Sequence, residues 1–512
     1  MAAKQPGVKS KQYIPKPEVL QLISEAMARK YTVLPLELEG NILRVVMADA
    51  TNIFALEALE THTKKHIQLE LATSAEIQEA IDFNYQSYDE IEKQISNIAS
   101  PAEAAQPEHQ VEVDSVSNAP VARAISLIID EAVKAGASDI HLQPEENELR
   151  VRYRVDGVLH DKMTMPLATG NTLISRIKIL ANMNIADHHR PQDGQFSVET
   201  QGGRSMDIRV GLIPTIHSEM AVLRLLYKSR AIMALSDLGF FPDSLKTYES
   251  MLRVPHGMLL VSGPTGAGKS TTLYASINSL DLVGRNVITV EDPVEYHFGR
   301  INQVQVNARA GLTFANGLRS ILRLDPDVIL VGEIRDAETA RIAVQAALTG
   351  HLVLSSIHAN DAISVAFRLV DLGVEPFLVS TALIGVVAQR MVRRVCPHCA
   401  RPTDVSLLEE MVYSKETSGS NYPVIEERRQ FMYGTGCKSC GNTGYQGRIG
   451  IFEVLKMSDE IRAMLLTSTT PAKLRAQAIN DGMIPLVGDG MLKVKAGITT
   501  PSEVIRNTYS VD

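Results

Sequence analysis

The first part of the chain alternates between helical and strand-like spacing of apolar side chains. Between residues 17 and 31, apolar positions recur every three or four residues, which predicts an amphipathic helix. Residues 33–38 and 42–47 are apolar segments on either side of a short polar turn, which is typical of a hairpin. A helix, an alternating strand and another helix follow. We therefore predict an N-terminal α+β docking domain over residues 1–85.

Residues 86–120 break this pattern. They contain seven Asp and Glu residues against one lysine and end in sequence rich in Ala, Pro and Ser. Such low hydrophobicity predicts a flexible acidic linker. A second small α+β domain is predicted over residues 121–226, because a helix near residues 122–135 is followed by paired strand patterns and a further helix. Residues 227–240 are predicted to be a hinge.

From residue 241 the pattern changes to near-continuous apolar strands that are each followed by a helix. This alternation predicts a parallel sheet covered on both faces, and we assign residues 241–395 to it. Residues 396–455 contain all four cysteines and are predicted to form a metal-binding subdomain. Polar amphipathic helices are predicted over residues 456–512.

Composition limits the function classes. The chain has 512 residues, 45% of them hydrophobic, which is enough for several buried cores. Its net charge of −8, its low aromatic content of 5% and the absence of Trp argue against a general nucleic-acid binder. The polar N-terminus does not resemble a signal peptide, and no apolar stretch reaches the roughly 20 residues of a membrane helix. We therefore expect a cytoplasmic protein.

A phosphate-binding loop is predicted at the start of the α/β region. An apolar strand leads into it, and a helix that begins near Thr271 leads out. The glycines would let backbone N–H groups point at phosphate oxygens, and the helix N-terminus would add positive charge. Lys269 is predicted to reach the terminal phosphates and Ser270 to bind Mg²⁺, whereas the alternative is a glycine-rich turn with an exposed lysine. The loop consists of Gly263, Pro264, Thr265, Gly266, Ala267, Gly268, Lys269 and Ser270.

Carboxylates follow two of the predicted strands. Glu291, Asp292 and Glu295 are candidates for holding the metal and orienting the attacking water, with a solvated acidic loop as the alternative. Glu333 ends another apolar strand and is a candidate for the general base. Gly332 stands where nucleotide-binding sequences usually carry an Asp, so the earlier carboxylates would supply the missing negative charge. The sequence leaves open whether the general base is Glu333 or one of the three carboxylates at 291, 292 and 295.

Two histidines lie before and after the next strand, His351 and His358. We interpret them as a sensor of the γ-phosphate or as a relay at an interface; a lone histidine would more often be a core or surface residue.

The four cysteines form two Cys-x-x-Cys pairs, Cys396 with Cys399 and Cys437 with Cys440. This spacing predicts a closed, structural zinc site, with a redox pair as the alternative.

Together these segments resemble the type II secretion and type IV pilus assembly ATPases (the GspE/PilB family). Further matching segments are Ser138-Asp139-Ile140-His141 and Arg190-Pro191-Gln192-Asp193-Gly194. The resemblance implies a RecA-like P-loop ATPase domain preceded by two small α+β domains, the second PAS-like, with ATP, Mg²⁺ and Zn²⁺ as cofactors. It also implies that arginines of the second domain reach the nucleotide, and Arg209 and Arg224 match those positions.

The resemblance further implies a homohexamer that drives an inner-membrane platform protein and is held peripherally at that membrane by its partners. The N-terminal domain would dock on a membrane-anchored adaptor. Two other functions compete with this hypothesis. One is a nucleotide-binding scaffold without useful hydrolysis, which the retained Glu333, Asp292 and Glu295 argue against. The other is a DNA-translocating motor, which the acidic charge disfavours.

Overall fold

The chain forms two compact units, Met1–Ser229 and Arg230–Asp512. Of the predicted segments, nearly all of the acidic linker and the centre of the hinge lie outside the described residues. The computed structural model describes residues 17–20, 22–23, 25–49, 52–85, 119–200, 203, 205–227, 233–404, 413, 430–467 and 469–508.

The N-terminal domain is a three-stranded sheet with helices. Strands β1 and β2 form the predicted antiparallel hairpin, and β3 runs parallel to β2. The single helix predicted over residues 17–31 is instead two, because the chain turns at Leu22 and Ile23, which lets Ile23 enter the core. The elements are α1 (Pro17–Leu20), α2 (Glu25–Tyr31), β1 (Val33–Glu39), β2 (Ile42–Met47), α3 (Ile53–Thr63), β3 (His66–Leu71) and α4 (Ser74–Tyr85).

The second domain is a six-stranded antiparallel sheet with two helices on one face. The strand order is β6-β5-β4-β9-β8-β7, and the apolar sides of the strands pack against both helices. The sequence did not predict β6 or β7; β7 has no fully buried side chain and so lacks a strand signature. The elements are α5 (Ala119–Lys134), β4 (Ala137–Pro144), β5 (Glu148–Val155), β6 (Val158–Pro166), α6 (Leu167–Leu180), β7 (Gln192–Glu199), β8 (Ser205–Pro214) and β9 (Glu219–Tyr227).

The second unit is built on a seven-stranded sheet of order β12-β11-β13-β14-β10-β15-β18. Along β10, Met258 and Leu260 pack into the core on one face, and Leu259 and Val261 into the core on the other. The predicted sheet covered on both faces is confirmed. The elements are α7 (Pro242–Leu252), β10 (Gly257–Ser262), α8 (Lys269–Asn278), β11 (Val287–Glu291), β12 (Asn302–Gln305), α9 (Phe314–Ile321), β13 (Val328–Ile334), α10 (Ala337–Leu348), β14 (Leu352–Ile357), α11 (Ala362–Asp371) and α12 (Pro376–Ala382).

The last part of the chain departs from the prediction at one strand. Six strands of the sheet are parallel, but β18 joins the edge antiparallel to β15. Residues 445–455 were expected in the cysteine subdomain, whereas most of them complete the main sheet, because residues 450–455 of β18 are buried there. The elements are β15 (Leu383–Val395), β16 (Ala400–Asp404), β17 (Gln430–Gly434), β18 (Tyr445–Lys456), α13 (Asp459–Leu466), α14 (Pro471–Asn480), α15 (Leu486–Lys495) and α16 (Pro501–Thr508).

Within the described parts of the chain, every helix is too short or too polar to cross a membrane.

Candidate functional site

The loop between β10 and α8 is shaped by its glycines. Gly263, Gly266 and Gly268 have φ values of 149°, 79° and 88°, in the left-handed region that other residues rarely adopt. A Cβ atom on Gly263 would lie 2.5 Å from the Gln389 carbonyl oxygen, whereas one on Gly266 would meet nothing within 4 Å. The loop is therefore packed on one side and open on the other, which fits a cradle for an anion above the N-terminus of α8.

Lys269, the first residue of α8, folds back over this loop. Its Nζ atom donates hydrogen bonds to the carbonyl oxygens of Gly263 (2.8 Å) and Pro264 (3.0 Å). Burial lowers the pKa of Lys269, while the negative charge of Glu333 opposes that shift. Lys269 follows β10 and Glu333 lies near the end of β13, so both groups are at the carboxyl edge of the sheet.

The loop is also held by Gln389 of β15, which the sequence analysis missed. The buried Gln389 amide accepts a hydrogen bond from Thr272 Oγ1 at 2.8 Å and donates one from Nε2 to the Ala267 carbonyl at 2.5 Å. The next residue, Arg390, donates from Nη2 to the Asn360 carbonyl oxygen at 2.7 Å. The sequence signal for this role was the pair of polar residues, Gln389 and Arg390, that interrupts the apolar strand β15. They lie next to the point where β10 ends and the phosphate loop begins.

Glu333 and His358 lie together at the ends of two adjacent strands. The Glu333 side chain is 15% exposed, forms an ion pair with Arg335 and lies 3.6 Å from His358 Nε2. The ion pair with Glu333 raises the pKa of Arg335, and Asp292 adds to that shift. Packing explains why position 332 is a glycine, because a Cβ atom there would lie only 3.3 Å from Glu291 Cα.

The three carboxylates at and just after the end of β11 fall into two kinds. Glu291 is 4% exposed and accepts hydrogen bonds from Tyr274, Thr289 and Gln303. Burial and then this carboxylate raise the pKa of Tyr274. Such a fully engaged carboxylate is placed to hold structure, whereas Asp292 and Glu295 are exposed.

His351 is not brought to this edge. Its backbone carbonyl accepts from the Gly257 N–H at the opposite end of β10, and its Nδ1 lies 2.9 Å from the Ala346 carbonyl oxygen. Because β14 has six residues, about 20 Å of strand separate His351 from His358. Two roles were expected for His351. It is too far from its own chain's phosphate loop to sense a phosphate bound there, but its position is compatible with a relay at an interface.

Arg209 and Arg224 lie on the second domain, directly opposite each other on β8 and β9. The Arg224 Nε atom lies 3.1 Å from Oδ1 of Asp139 on β4, whose side chain is 9% exposed, while the Arg224 side chain is 60% exposed. Arg154 approaches the other Asp139 oxygen at 3.9 Å. The buried carboxylate thus anchors the Nε end of Arg224 while the side chain as a whole faces solvent.

The four cysteines meet at the end of β15. Their Sγ atoms all lie within 4.8 Å of one another, with separations of 3.7 Å between Cys396 and Cys437, 3.9 Å between Cys399 and Cys440, and 3.7 Å between Cys437 and Cys440. Tetrahedral zinc with Zn–S bonds of about 2.3 Å places its sulfur atoms about 3.8 Å apart. Burial raises the pKa of Cys399 to about 12, so a cation at the centre of the cluster would favour the thiolate form of this ligand. The donor set fits zinc.

The comparisons with known proteins agree with this geometry. Residues 114–506 match the family described as Type II/IV secretion system protein, and residues 4–90 match the MshEN domain. The chain belongs to the type II/IV secretion system protein family. It is 39% identical to the type IV pilus assembly ATPase PilB of Myxococcus xanthus, over 98% of this chain and 89% of that protein. It is 40% identical to the type II secretion system protein E of Pectobacterium carotovorum, over 96% of this chain and 98% of that protein.

Solved structures of this kind share the fold. The pilus retraction motor PilT with bound ADP matches 76% of this chain and 97% of its own, at 26% identity and a TM-score of 0.50. The ATPase DotB of Yersinia pseudotuberculosis matches 79% of this chain and 96% of its own, with a TM-score of 0.55. At 20% identity the second likeness concerns the fold alone. The family match and the likeness to named ATPases show that this secretion-family chain is an ATP-hydrolysing enzyme.

Proposed function

We propose that the chain works as a homohexameric motor, which uses ATP hydrolysis to drive assembly of type IV pili or of a type II secretion pseudopilus through an inner-membrane platform protein. The pilus assembly ATPase and the secretion protein E that it resembles support this role. The chain would act in the cytoplasm and associate with the inner membrane through protein partners. The N-terminal domain would dock on a membrane-anchored adaptor, and its Phe54, which is 84% exposed, offers an apolar contact.

The chemistry follows from the groups at the carboxyl edge of the sheet. The loop N–H groups and Lys269 would hold the β- and γ-phosphates, and Ser270 would ligate Mg²⁺, which neutralises phosphate charge when bound. Glu333 would take a proton from the attacking water. The water oxygen would then bond to the γ-phosphorus, while the bond from the γ-phosphorus to the bridging oxygen of ADP breaks. His358, beside Glu333, would contact the γ-phosphate. Asp292 and Glu295 would support the metal through water.

Two further parts complete the proposal. Arg209 and Arg224 would reach the phosphate site of a neighbouring subunit and stabilise the charge that develops there. Zn²⁺ would occupy the four-cysteine cluster as a structural ion, because four thiolates leave no open coordination position for chemistry.

The observation that carries the proposal is the glycine-rich loop, which is open above the N-terminus of α8 and is crossed by the Lys269 side chain. The test is ATP hydrolysis by the Lys269→Ala variant, with Lys246→Ala, an exposed lysine on α7, as the control. We expect Lys269→Ala to lose hydrolysis to background and Lys246→Ala to keep it. Hydrolysis by a folded Lys269→Ala variant at the wild-type rate would overturn the assignment of the site.

A further inference from the structure

The loop that carries His358 is fixed at its far end by a charged side chain from a C-terminal helix. The loop ends at Asp361, which caps α11 by accepting from the Ser364 N–H at 2.7 Å. The second oxygen of Asp361 forms an ion pair with Arg475 of α14. The two residues are far apart in the chain, so this pair is a tertiary contact between α14 and the loop.

Arg475 is itself held in place by a buried carboxylate. Its Nη1 atom lies 3.5 Å from Oε2 of Glu453 on β18, whose side chain is 1% exposed. Glu453 also accepts hydrogen bonds from the N–H groups of Ala362 (2.8 Å) and Leu486 (3.2 Å). Burial raises the pKa of Glu453, and the charge of Arg475 counteracts that shift. A buried carboxylate of this kind needs its cation, and Glu453, with Arg475 beside it, joins α11, α14, α15 and β18 at one point.

The same loop is held from its other side by the strand behind the phosphate loop. Arg390 donates to the carbonyl oxygen of Asn360, the residue before Asp361. At the near end, Ser356 donates from its hydroxyl to the Gly332 carbonyl at 2.8 Å. His358 therefore lies on a short span whose two ends are tied to the sheet and to the C-terminal helices.

We infer that Arg475 is a positioning residue of the phosphate site, which through Asp361 sets the distance between His358 and Glu333. The inference rests on the proposed function, in which His358 and Glu333 act on the γ-phosphate and on water. In this proposal Arg475, which ion-pairs with Asp361 and Glu453, acts on the phosphate site through the loop and does not touch the nucleotide. Small displacements of a group that must align with a reacting atom reduce turnover more than binding. Loss of Arg475 should therefore lower kcat and leave KM nearly unchanged.

The test compares steady-state ATP hydrolysis of the full chain and its variants. We expect Arg475→Gln to lower kcat roughly ten-fold with KM for ATP changed less than about two-fold, and Arg475→Lys to recover part of the loss. Lys473→Ala, on the exposed side of the same helix, should behave like wild type. If Arg475→Gln fails to fold, Asp361→Asn keeps a helix-capping side chain while weakening the ion pair, and it should lower kcat in the same way.

A double variant decides whether the effect runs through His358. If it does, Arg475→Gln combined with His358→Ala should be no slower than His358→Ala alone. The inference would be overturned if the fold-reductions of kcat multiply in the double variant. It would also be overturned if Arg475→Gln changes KM alone or turns over like wild type. If His358→Ala is slow but Arg475→Gln is not, only the inference fails. If His358→Ala itself turns over like wild type, the proposed role of His358 fails and the inference falls with it.

Discussion

The amide of Gln389 joins the phosphate loop to the first turn of α8. One end of the amide bonds Thr272 in the first turn of α8, and the other bonds Ala267 within the loop. Because Gln389 is buried and lies on the strand next to β10, it fixes the loop against the helix from behind. Glycines permit the curvature of the loop, but this amide selects one conformation among those that glycine allows.

Replacing Gln389 with Ala should therefore weaken both stability and nucleotide binding. The Ala267 carbonyl and the Thr272 hydroxyl would lose their partner, so we expect the free energy of unfolding to fall by about 2–3 kcal/mol. Affinity for a fluorescent ATP analogue should fall roughly ten-fold because the loop loses its preorganised shape. Gln345→Ala, at an exposed glutamine of α10, is the matched control and should change neither quantity. Unchanged analogue affinity in a less stable Gln389→Ala variant would contradict this role.

Tyr248 predicts a specific pH dependence of stability. The hydroxyl of this buried residue of α7 lies 2.6 Å from Ser276 Oγ of α8, and burial raises the pKa of Tyr248 to about 12. Between the unfolded pKa near 10 and this value, the unfolded chain releases the proton and the folded chain keeps it, so stability falls as pH rises. From pH 9 to pH 11 the tyrosine should cost about 1.4 kcal/mol. Tyr274, whose pKa is also raised, adds a loss of the same sign in both proteins. Urea unfolding at both pH values should therefore show a loss about 1.4 kcal/mol larger in wild type than in Tyr248→Phe; equal losses would count against it.

Among the elements, β15 connects the two candidate centres of the second unit. Gln389 and Cys396 lie on or next to this strand and are seven residues apart, which is about 23 Å of extended chain. The strand is anchored near its cysteine end by Arg393, which pairs with the buried Glu503 of α16 and stacks on Tyr445. The cysteine cluster therefore lies at the far end of β15, at a distance from the phosphate loop.

Removal of the metal should accordingly separate stability from nucleotide binding. We expect one zinc per chain, and Cys437→Ser should abolish zinc binding and lower the thermal midpoint of the second unit. Affinity for the ATP analogue below that midpoint should stay within about two-fold, given the distance along β15. Ser439→Ala, between two cysteines and exposed, should keep its zinc. Retention of zinc by Cys437→Ser, or loss of analogue binding along with the metal, would refute this division of roles.

The sequence predicted elements that have a local signature and missed those defined by their neighbours. The phosphate loop, the hairpin of β1 and β2 and the Cys-x-x-Cys pairs are local patterns, and the structure contains all of them. In contrast, β18 follows the cysteines directly in sequence, and only its pairing with β15 shows that it belongs to the main sheet. The distance of His351 from the loop and the partners of Gln389 likewise depend on strand order, which one-dimensional spacing does not encode.

At the scale of the whole molecule, the phosphate loop and the candidate arginines belong to different compact units. Each has its own hydrophobic core, so each can keep its internal geometry whatever the arrangement of subunits. In a closed ring of identical chains, every interface brings the same two surfaces together. An arginine from one chain that completes the site of the next would make hydrolysis a property of the assembly.

Mixed assemblies distinguish a shared site from a self-contained one. Lys269→Ala has a defective loop with intact arginines, and Arg224→Ala has the reverse, so each alone should be nearly inactive. In co-expressed assemblies with random equal composition, about one site in four pairs an intact loop with an intact neighbouring arginine, which predicts about a quarter of wild-type turnover. A mixture of Lys269→Ala with Glu333→Gln, whose defects both lie at the carboxyl edge of one sheet, should stay inactive and serves as the control. If the first mixture also stays inactive, Arg224 acts within its own chain, and the proposed exchange of arginines between subunits is wrong.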